Sequence, residues 1–410
     1  MGEFLKLNRN LKLRTLTVFL VVLLGSSVGP NMTIYYVKYF GPVITGILLV
    51  IVASSGFVAG LIGGYLADKW GRKPVMLLAS ALIIAGYFLA MLMNAPWYVN
   101  PFMTFFGFLL AQVGSSFADP AQQAMMIDSS TLENRTFVYS LIYWIINVGV
   151  MIGAAIGGWF FRDYLFELLI GLLIVAIIEG GIVYFGMSET FTPSVQAKEA
   201  TLLGGIKTYG SVFVDKRFVL FVIGSIGMTV IFTQPDYYLA AHLGESFKTT
   251  HIFGVQIYGQ RMLSVMTMTN TAMIVILMGL FTRMTSHFKL TQNVLVGTLM
   301  QGGAFAVAFL LHSFWPLMIM AVLLTIGEMI NVPASQTIRA EMMNPAKLGA
   351  YSGAFAATRP VGMIIASLLV SLSHFVGNYG IALILTLISF AAVALTIKAA
   401  KMPATFEITE

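Results

Sequence analysis

Residues 39 to 67 and 74 to 118 contain no ionisable side chain other than tyrosine, and only six residues separate the two stretches. Uncharged runs of this length suit hydrocarbon, since a helix needs about 20 apolar residues to cross a bilayer. The interruption, Asp68-Lys69-Trp70-Gly71-Arg72-Lys73, must then be a short turn at a membrane face. Gly64 lets two helices approach closely, and Gly71 can take the positive φ of a tight turn. Lys69, Arg72 and Lys73 belong on the cytoplasmic side by the positive-inside bias. The whole chain agrees. Of its 410 residues 58% are hydrophobic and 10% charged, and the mean hydropathy of +0.87 lies outside the range of water-soluble domains. With so few charges the balance of +6 gives no reason to expect a nucleic-acid partner. The lack of cysteine excludes disulfides, thiol catalysis and Cys-based metal sites.

Apolar segments of spanning length fall near 15-37, 43-66, 75-94, 102-126, 137-160, 164-187, 217-241, 255-281, 290-311, 315-338, 349-373 and 379-400. The expected fold class is therefore an all-α membrane protein with twelve transmembrane helices. Lys6, Arg9, Lys12 and Arg14 precede a first segment longer than the apolar core of a signal peptide, so this segment reads as a span whose N-terminus is cytoplasmic. Threading the spans puts 18 Lys and Arg on that side, three outside (Lys38, Arg162, Lys248) and two within spans (Arg261, Arg359). The asymmetry supports an even number of spans with both termini cytoplasmic. A polar stretch with Glu189, Pro193, Lys198, Glu199, Lys207 and Asp215 divides the chain into a six-helix half at 1-187, a cytoplasmic central loop at 188-216 and a six-helix half at 217-410. Paired halves suggest a transporter with its substrate path at their interface.

The turn at Gly64–Lys73 resembles the signature loop of the major facilitator superfamily, of form G-x-L-A-D-[RK]-x-G-R-[RK]. The equivalent loop in the second half, Thr282-Arg283-Met284-Thr285-Ser286-His287, lacks the Asp and second glycine. Asp128 with Glu133-Asn134-Arg135 resembles the acidic and basic pair between the superfamily's fourth and fifth spans. Gly64, Asp68, Gly71, Arg72, Lys73, Asp128 and Arg135 are thereby implied in conformational switching. Gly149, Gly153, Gly157 and Gly158 resemble the antiporter pattern G-x-x-x-G-P-x-x-G-G, with Ala154 in place of proline. Physically they form a small-residue face for helix packing.

Met32-Thr33-Ile34-Tyr35-Tyr36, Arg72-Lys73-Pro74-Val75-Met76, Met126-Ile127-Asp128, Ile257-Tyr258-Gly259-Gln260-Arg261-Met262-Leu263 and Gly327-Glu328 are together similar to the LmrP-type multidrug/proton antiporters of Gram-positive bacteria. That resemblance implies proton and cation sites at Asp68, Asp128, Asp236 and Glu328. Ile142 stands where the family has a further acidic residue.

Apart from any resemblance, a charge in hydrocarbon costs roughly 2.5–3.5 kcal/mol on insertion scales, so each needs a reason. Asp119 and Glu328 fall near the midplane of their spans, and Asp236 near the outer mouth. Each is either a carboxylate that loads and releases a proton or half of an ion pair that stays charged. Arg359 is the candidate partner of Glu328, and Arg261 that of Asp236. Glu167 reads as interfacial, and Glu179 has no assignment. Phe117, Met125, Met329 and Phe355 are candidates for a deformable apolar pocket. The five histidines fall in or beside loops, so no metal site is expected.

These features lead to a transporter driven by the proton motive force, with no cofactor, exporting amphipathic, often cationic compounds. The coupling and substrate residues are Asp119, Asp236, Glu328 and Arg359. Its partners are amphipathic small molecules or lipids, membrane lipids and protons. It is expected as a monomer in a bacterial cell membrane. The rival reading keeps the fold and moves a lipid or glycolipid; a membrane-embedded enzyme is disfavoured because no nucleophile, base and orienter assemble at one face.

Overall fold

The computed structural model describes residues 4, 6–131, 133–191, 212–344 and 347–403. Most of the expected central loop, with Pro193, Lys198, Glu199 and Lys207, lies outside the described residues. The helices are α1 (Arg9–Trp70), α2 (Arg72–Leu92), α3 (Pro101–Ser129), α4 (Arg135–Phe160) and α5 (Leu165–Gly181), the last continuing as a π-turn over Ile182–Gly186. After the central stretch come α6 (Lys216–Phe232), α7 (Tyr238–Ser246), α8 (Gly259–Thr285), α9 (Leu290–Ala308), α10 (Phe314–Met342), α11 (Leu348–Ala356) and α12 (Thr358–Lys401). Helix is the form that satisfies every backbone polar group inside one apolar segment. Eight described helical stretches are long and apolar enough to cross a membrane.

Two of those stretches, of 62 and 52 residues, far exceed one crossing. Each contains a reversal at a glycine: Gly41 has φ 74° inside α1 and Gly377 has φ 64° inside α12, a region that side chains avoid. Other ends are set by caps. The Asn8 side chain accepts from Leu11 N–H, Asn100 accepts from Met103 N–H with Pro101 following it, and Asp215 accepts from Arg217 and Phe218 N–H.

Two expected spans have a different shape. The segment at 217-241 is broken: α6 ends at Phe232, a 3-10 turn covers Gln234–Asp236, and α7 restarts at Tyr238. Pro235 lacks an N–H for the helical ladder, and Tyr237 leaves helical geometry with ψ −106°. The segment at 255-281 begins instead at Gly259, because Thr250–Ile252 pairs antiparallel with Val255–Ile257 in a hairpin. A shorter hairpin pairs Asn94–Ala95 with Tyr98–Val99.

Two compact units result, Met1–Met32 with Ile51–Ala200, and Thr33–Val50 with Thr201–Glu410. Residues 33–50 group with the second unit through short contacts. Thr33 Oγ1 donates to the Asp236 carbonyl at 2.6 Å, and Ser371 Oγ donates to the Val43 carbonyl at 2.8 Å. Each unit has its own packed centre. In the first, Ala59, Ala67, Val75, Ala79, Phe117, Ala121 and Met125 meet; in the second, Phe218, Phe221, Val294, Ala334, Ile338 and Ala399 do. Lipid tails are as apolar as these side chains, so close packing of small residues holds the helices together more than any hydrophobic drive.

The glycines of α4 illustrate this. A Cβ at Gly149 would meet Val22 at 3.0 Å, one at Gly153 would meet Ser26 at 2.8 Å, and one at Gly157 would run into the Ser27 carbonyl. The periodic face thus lies flat on α1.

Candidate functional site

Three carboxylates gather at the turn between α1 and α2. Gly71 takes φ 103°, and a Cβ there would also strike the Glu189 carboxylate. Arg72 donates through Nη1 to Asp68 Oδ1 at 3.1 Å and to the Ala67 carbonyl at 2.7 Å, and through Nε to Asp128 Oδ2 at 3.2 Å. Glu189 accepts from the backbone N–H groups of Arg72 at 3.1 Å and Lys73 at 3.0 Å. It places an anion where the first amides of α2 are unsatisfied and the helix dipole favours negative charge. Lys73 Nζ donates to the Tyr184 and Met187 carbonyls, both at 2.8 Å. Arg135 donates instead to Ser130 Oγ at 3.3 Å, so the basic partner of Asp128 is Arg72. Sequence reasoning left Glu189 in the central loop without a role. Asp68 is 65% exposed in its side chain, so its pair with Arg72 is worth about 1 kcal/mol at most and opens at little cost.

In the second unit the charges lie beside a helix break and a kink. Asp236 ends the 3-10 turn between α6 and α7, and Arg359 is the second residue of α12, after a kink at Ala357, which keeps helical dihedrals (φ −68°, ψ −15°) between α11 and α12. The cation that acts on Asp236 is Arg359, which also acts on Tyr237; Ser367 Oγ on the same helix donates to the Met363 carbonyl at 2.7 Å. Both pairings expected from sequence therefore change. Arg261 donates to the Gln256 carbonyl at 2.7 Å and lies over the Tyr258 ring at 4.7 Å. Glu328, at the midpoint of α10, accepts from Asn270 Nδ2 at 2.9 Å, and the same amide donates to Thr325 Oγ1 at 3.1 Å. Among the described residues Glu328 has no ion-pair partner. Asn270, which orients it from α8, carries no charge and gave no signal in the sequence.

A further polar cluster occupies the first unit. Asp119, exposed and followed by Pro120 within α3, lies where Gly64 of α1 packs on that proline. Arg14 is only 8% exposed, although its place before the first apolar run suggested a cytoplasmic flank. It donates through Nη2 to Gln122 Oε1 at 2.8 Å and through Nη1 to Thr17 Oγ1 at 3.2 Å. Its charge interacts with Glu179 and Asp119. Glu179 is 3% exposed and accepts from Ser80 Oγ at 2.8 Å. It extends the buried stripe Leu168, Leu169, Leu172 and Ala176 of α5, while Ile170, Ile174, Ile177 and Ile178 face outward. That period was the available signal for its inward direction. The apolar pocket expected from sequence changes too: Phe117, Met125 and Met329 are packed in the interior, and Phe355 stacks on Phe221 under the Arg339 guanidinium.

Comparison with known proteins bears on this geometry. The profile of the Major Facilitator Superfamily matches residues 15–367. A Na(+), Li(+), K(+)/H(+) antiporter of Planococcus maritimus is 28% identical over 384 residues, covering 90% of this chain and 91% of its own. The multidrug resistance protein MdtH of Proteus mirabilis is 26% identical over 342 residues, covering 82% and 79%. Among solved structures, a POT family transporter in complex with a thioalcohol-conjugated peptide superposes with a TM-score of 0.73 at 17% identity, covering 95% of each chain. This last likeness concerns the fold alone.

Proposed function

The chain belongs to the major facilitator superfamily, and from that membership we propose a proton-coupled secondary transporter that exports amphipathic, often cationic compounds by alternating access. Dividing α1 at Gly41 and α12 at Gly377, and joining segments across the break at Thr233–Tyr237 and the kink at Ala357, gives twelve crossings in two six-helix halves. Both termini then lie on the cytoplasmic side of a bacterial cell membrane. The observation that carries the reading is Glu328: a carboxylate at the centre of a spanning helix, held by a neutral amide and, among the described residues, in no ion pair. Such a group is costly in a membrane unless it exchanges a proton or binds a positive ligand. Asp236 sits at a helix break and Arg359 just past a kink, and breaks of this kind are the usual place for ion and substrate sites in transporters built from repeats. Asp119 offers a second accessible carboxylate in the other half. The weak Asp68–Arg72 pair suits a contact that opens and closes in each cycle.

A second reading, exchange of an alkali cation for protons, is favoured by the Planococcus relative and would use the same carboxylates. The test is proteoliposomes under an imposed pH gradient, with ethidium, sodium and a labelled lipid in parallel. Ethidium movement that collapses with the gradient is expected. Sodium movement alone would establish the second reading, and lipid movement alone a translocase.

A further inference from the structure

The geometry points to Arg14 and Glu179 as positioning residues that balance the charge of Asp119 and so set the pH at which it exchanges a proton for a cationic cargo. This inference deepens the transport reading and rests on it. Arg14 is buried, yet its hydrogen bonds go to the neutral oxygens of Gln122 and Thr17, and its Nε has no hydrogen-bond partner among the described residues. A guanidinium presents a fork suited to a carboxylate, and a buried one without such a contact is in an expensive arrangement. The charged groups acting on it from the packed helices are Glu179 of α5 and Asp119 of α3; α2 contributes the Ser80 hydroxyl, which donates to Glu179. Gln122 lies three residues after Asp119, on the same face of α3. A guanidinium that rests on Gln122, and whose charge acts on both carboxylates while its hydrogen bonds go to neither, is therefore committed to neither.

The charges make the consequence definite. With both carboxylates ionised and Arg14 protonated, these three groups together carry one negative charge, which one proton or one monovalent cation at Asp119 offsets. Arg14 then turns to Glu179. When Asp119 is ionised and holds no cargo, Arg14 is drawn to it. Glu179 thus competes with Asp119 for the guanidinium, and the two residues act on Asp119 in opposite senses.

The test uses purified full-length protein and two readouts across pH: ethidium affinity and thermal stability without cargo. Arg14→Gln removes the cation that favours ionised Asp119, so the midpoint of both profiles should rise by about 0.5 pH unit or more. Glu179→Gln leaves the guanidinium to Asp119 alone, so the midpoint should fall by about as much. The double variant should return close to the native midpoint, Arg14→Lys should keep it, and in an Asp119→Asn background the shifts should vanish. Unmoved midpoints in folded variants, shifts of the same sign, or shifts that persist without Asp119 would overturn the inference. If Arg14→Gln does not fold, Glu179→Gln and Arg14→Lys decide. Opposite shifts in the stability profile with ethidium affinity flat in pH would sink the transport reading and leave the charge balance standing.

Discussion

The turn at residues 64–75 and its counterpart at 282–293 join helices of similar apolar composition, yet they are held by different chemistry. The first gathers Asp68, Asp128 and Glu189 around Arg72 and Lys73. The second uses neutral groups: the Gln292 side chain accepts from Lys289 N–H at 3.0 Å, Asn293 donates to the Thr285 carbonyl at 3.0 Å, and Ser286 donates to the Arg283 carbonyl at 2.8 Å. Away from the turns the contrast reverses. The second unit interrupts a helix at 233–237, where Asp236 sits, and kinks another at Ala357, just before Arg359, whereas α3 of the first unit runs unbroken past Asp119 and Pro120. The lesson is a division of labour: an ion-pair network with one exposed, easily broken member, Asp68, at the first turn, and charges beside a helix break and a kink in the other half.

The largest expected effect lies at Glu328. If it binds cations directly, Glu328→Gln should lower ethidium affinity about tenfold or more, the worth of a charge-assisted contact. It should also flatten the pH dependence of binding while changing a neutral substrate's affinity by less than about threefold. Fluorescence titration across pH checks this. Equal losses for charged and neutral substrates, with reduced thermal stability, would assign Glu328 a structural role.

Next come the break and the kink. Asp236→Asn and Arg359→Gln should each reduce pH-driven transport, and because each removes the other's counter-charge the effects should not add. A double-mutant cycle on thermal stability should give a coupling of about 1–3 kcal/mol. Additive effects would mean that the two charges do not act as a pair and would remove this side of the comparison.

Much of this contrast was legible in the sequence, for identifiable reasons. Hydrocarbon tolerates few charges, so uncharged runs gave the helices, and Gly41-Pro42 and Gly71 gave two of the reversals. Gln234-Pro235-Asp236 inside an apolar run was the visible trace of the break between α6 and α7, but proline alone does not separate a kink from an interruption: Pro120 and Pro333 sit in continuous helices. Partnerships were not legible. Asp236 and Arg359 come within electrostatic reach through the packing of α6, α7 and α12, and nothing local in either segment names the other. The contacts of Arg14 were not legible either: arginine before a first span is the usual topogenic signal, and only the burial of that helix turn shows that it also faces the interior.

Smaller effects are expected at the rim. Asp68→Asn removes a pair worth about 1 kcal/mol, enough to bias a two-state equilibrium roughly fivefold. Transport should fall by that order with little change in melting temperature. Arg283→Gln, at the counterpart turn, should leave transport unchanged. Equal losses in the two variants would show that the turns work alike.

The smallest effect separates the two turns by the nature of their caps. Glu189 caps α2 with a charge, whereas Gln292 caps the start of α9 with a neutral amide oxygen, so both should stabilise their helix ends by about 0.5–1 kcal/mol. Glu189→Gln and Gln292→Ala should then each lower the melting temperature by roughly 2 °C or less. Salt should distinguish them. An exposed carboxylate facing Arg72 and the helix dipole is screened once the Debye length shrinks to about 3 Å at 1 M salt, so the deficit of Glu189→Gln should shrink there. The Gln292 contact is a neutral hydrogen bond, and its deficit should persist. If both deficits respond to salt in the same way, Glu189 acts as a hydrogen-bonding cap whose charge is incidental, and the electrostatic distinction between the turns reduces to Asp68, Arg72 and Asp128.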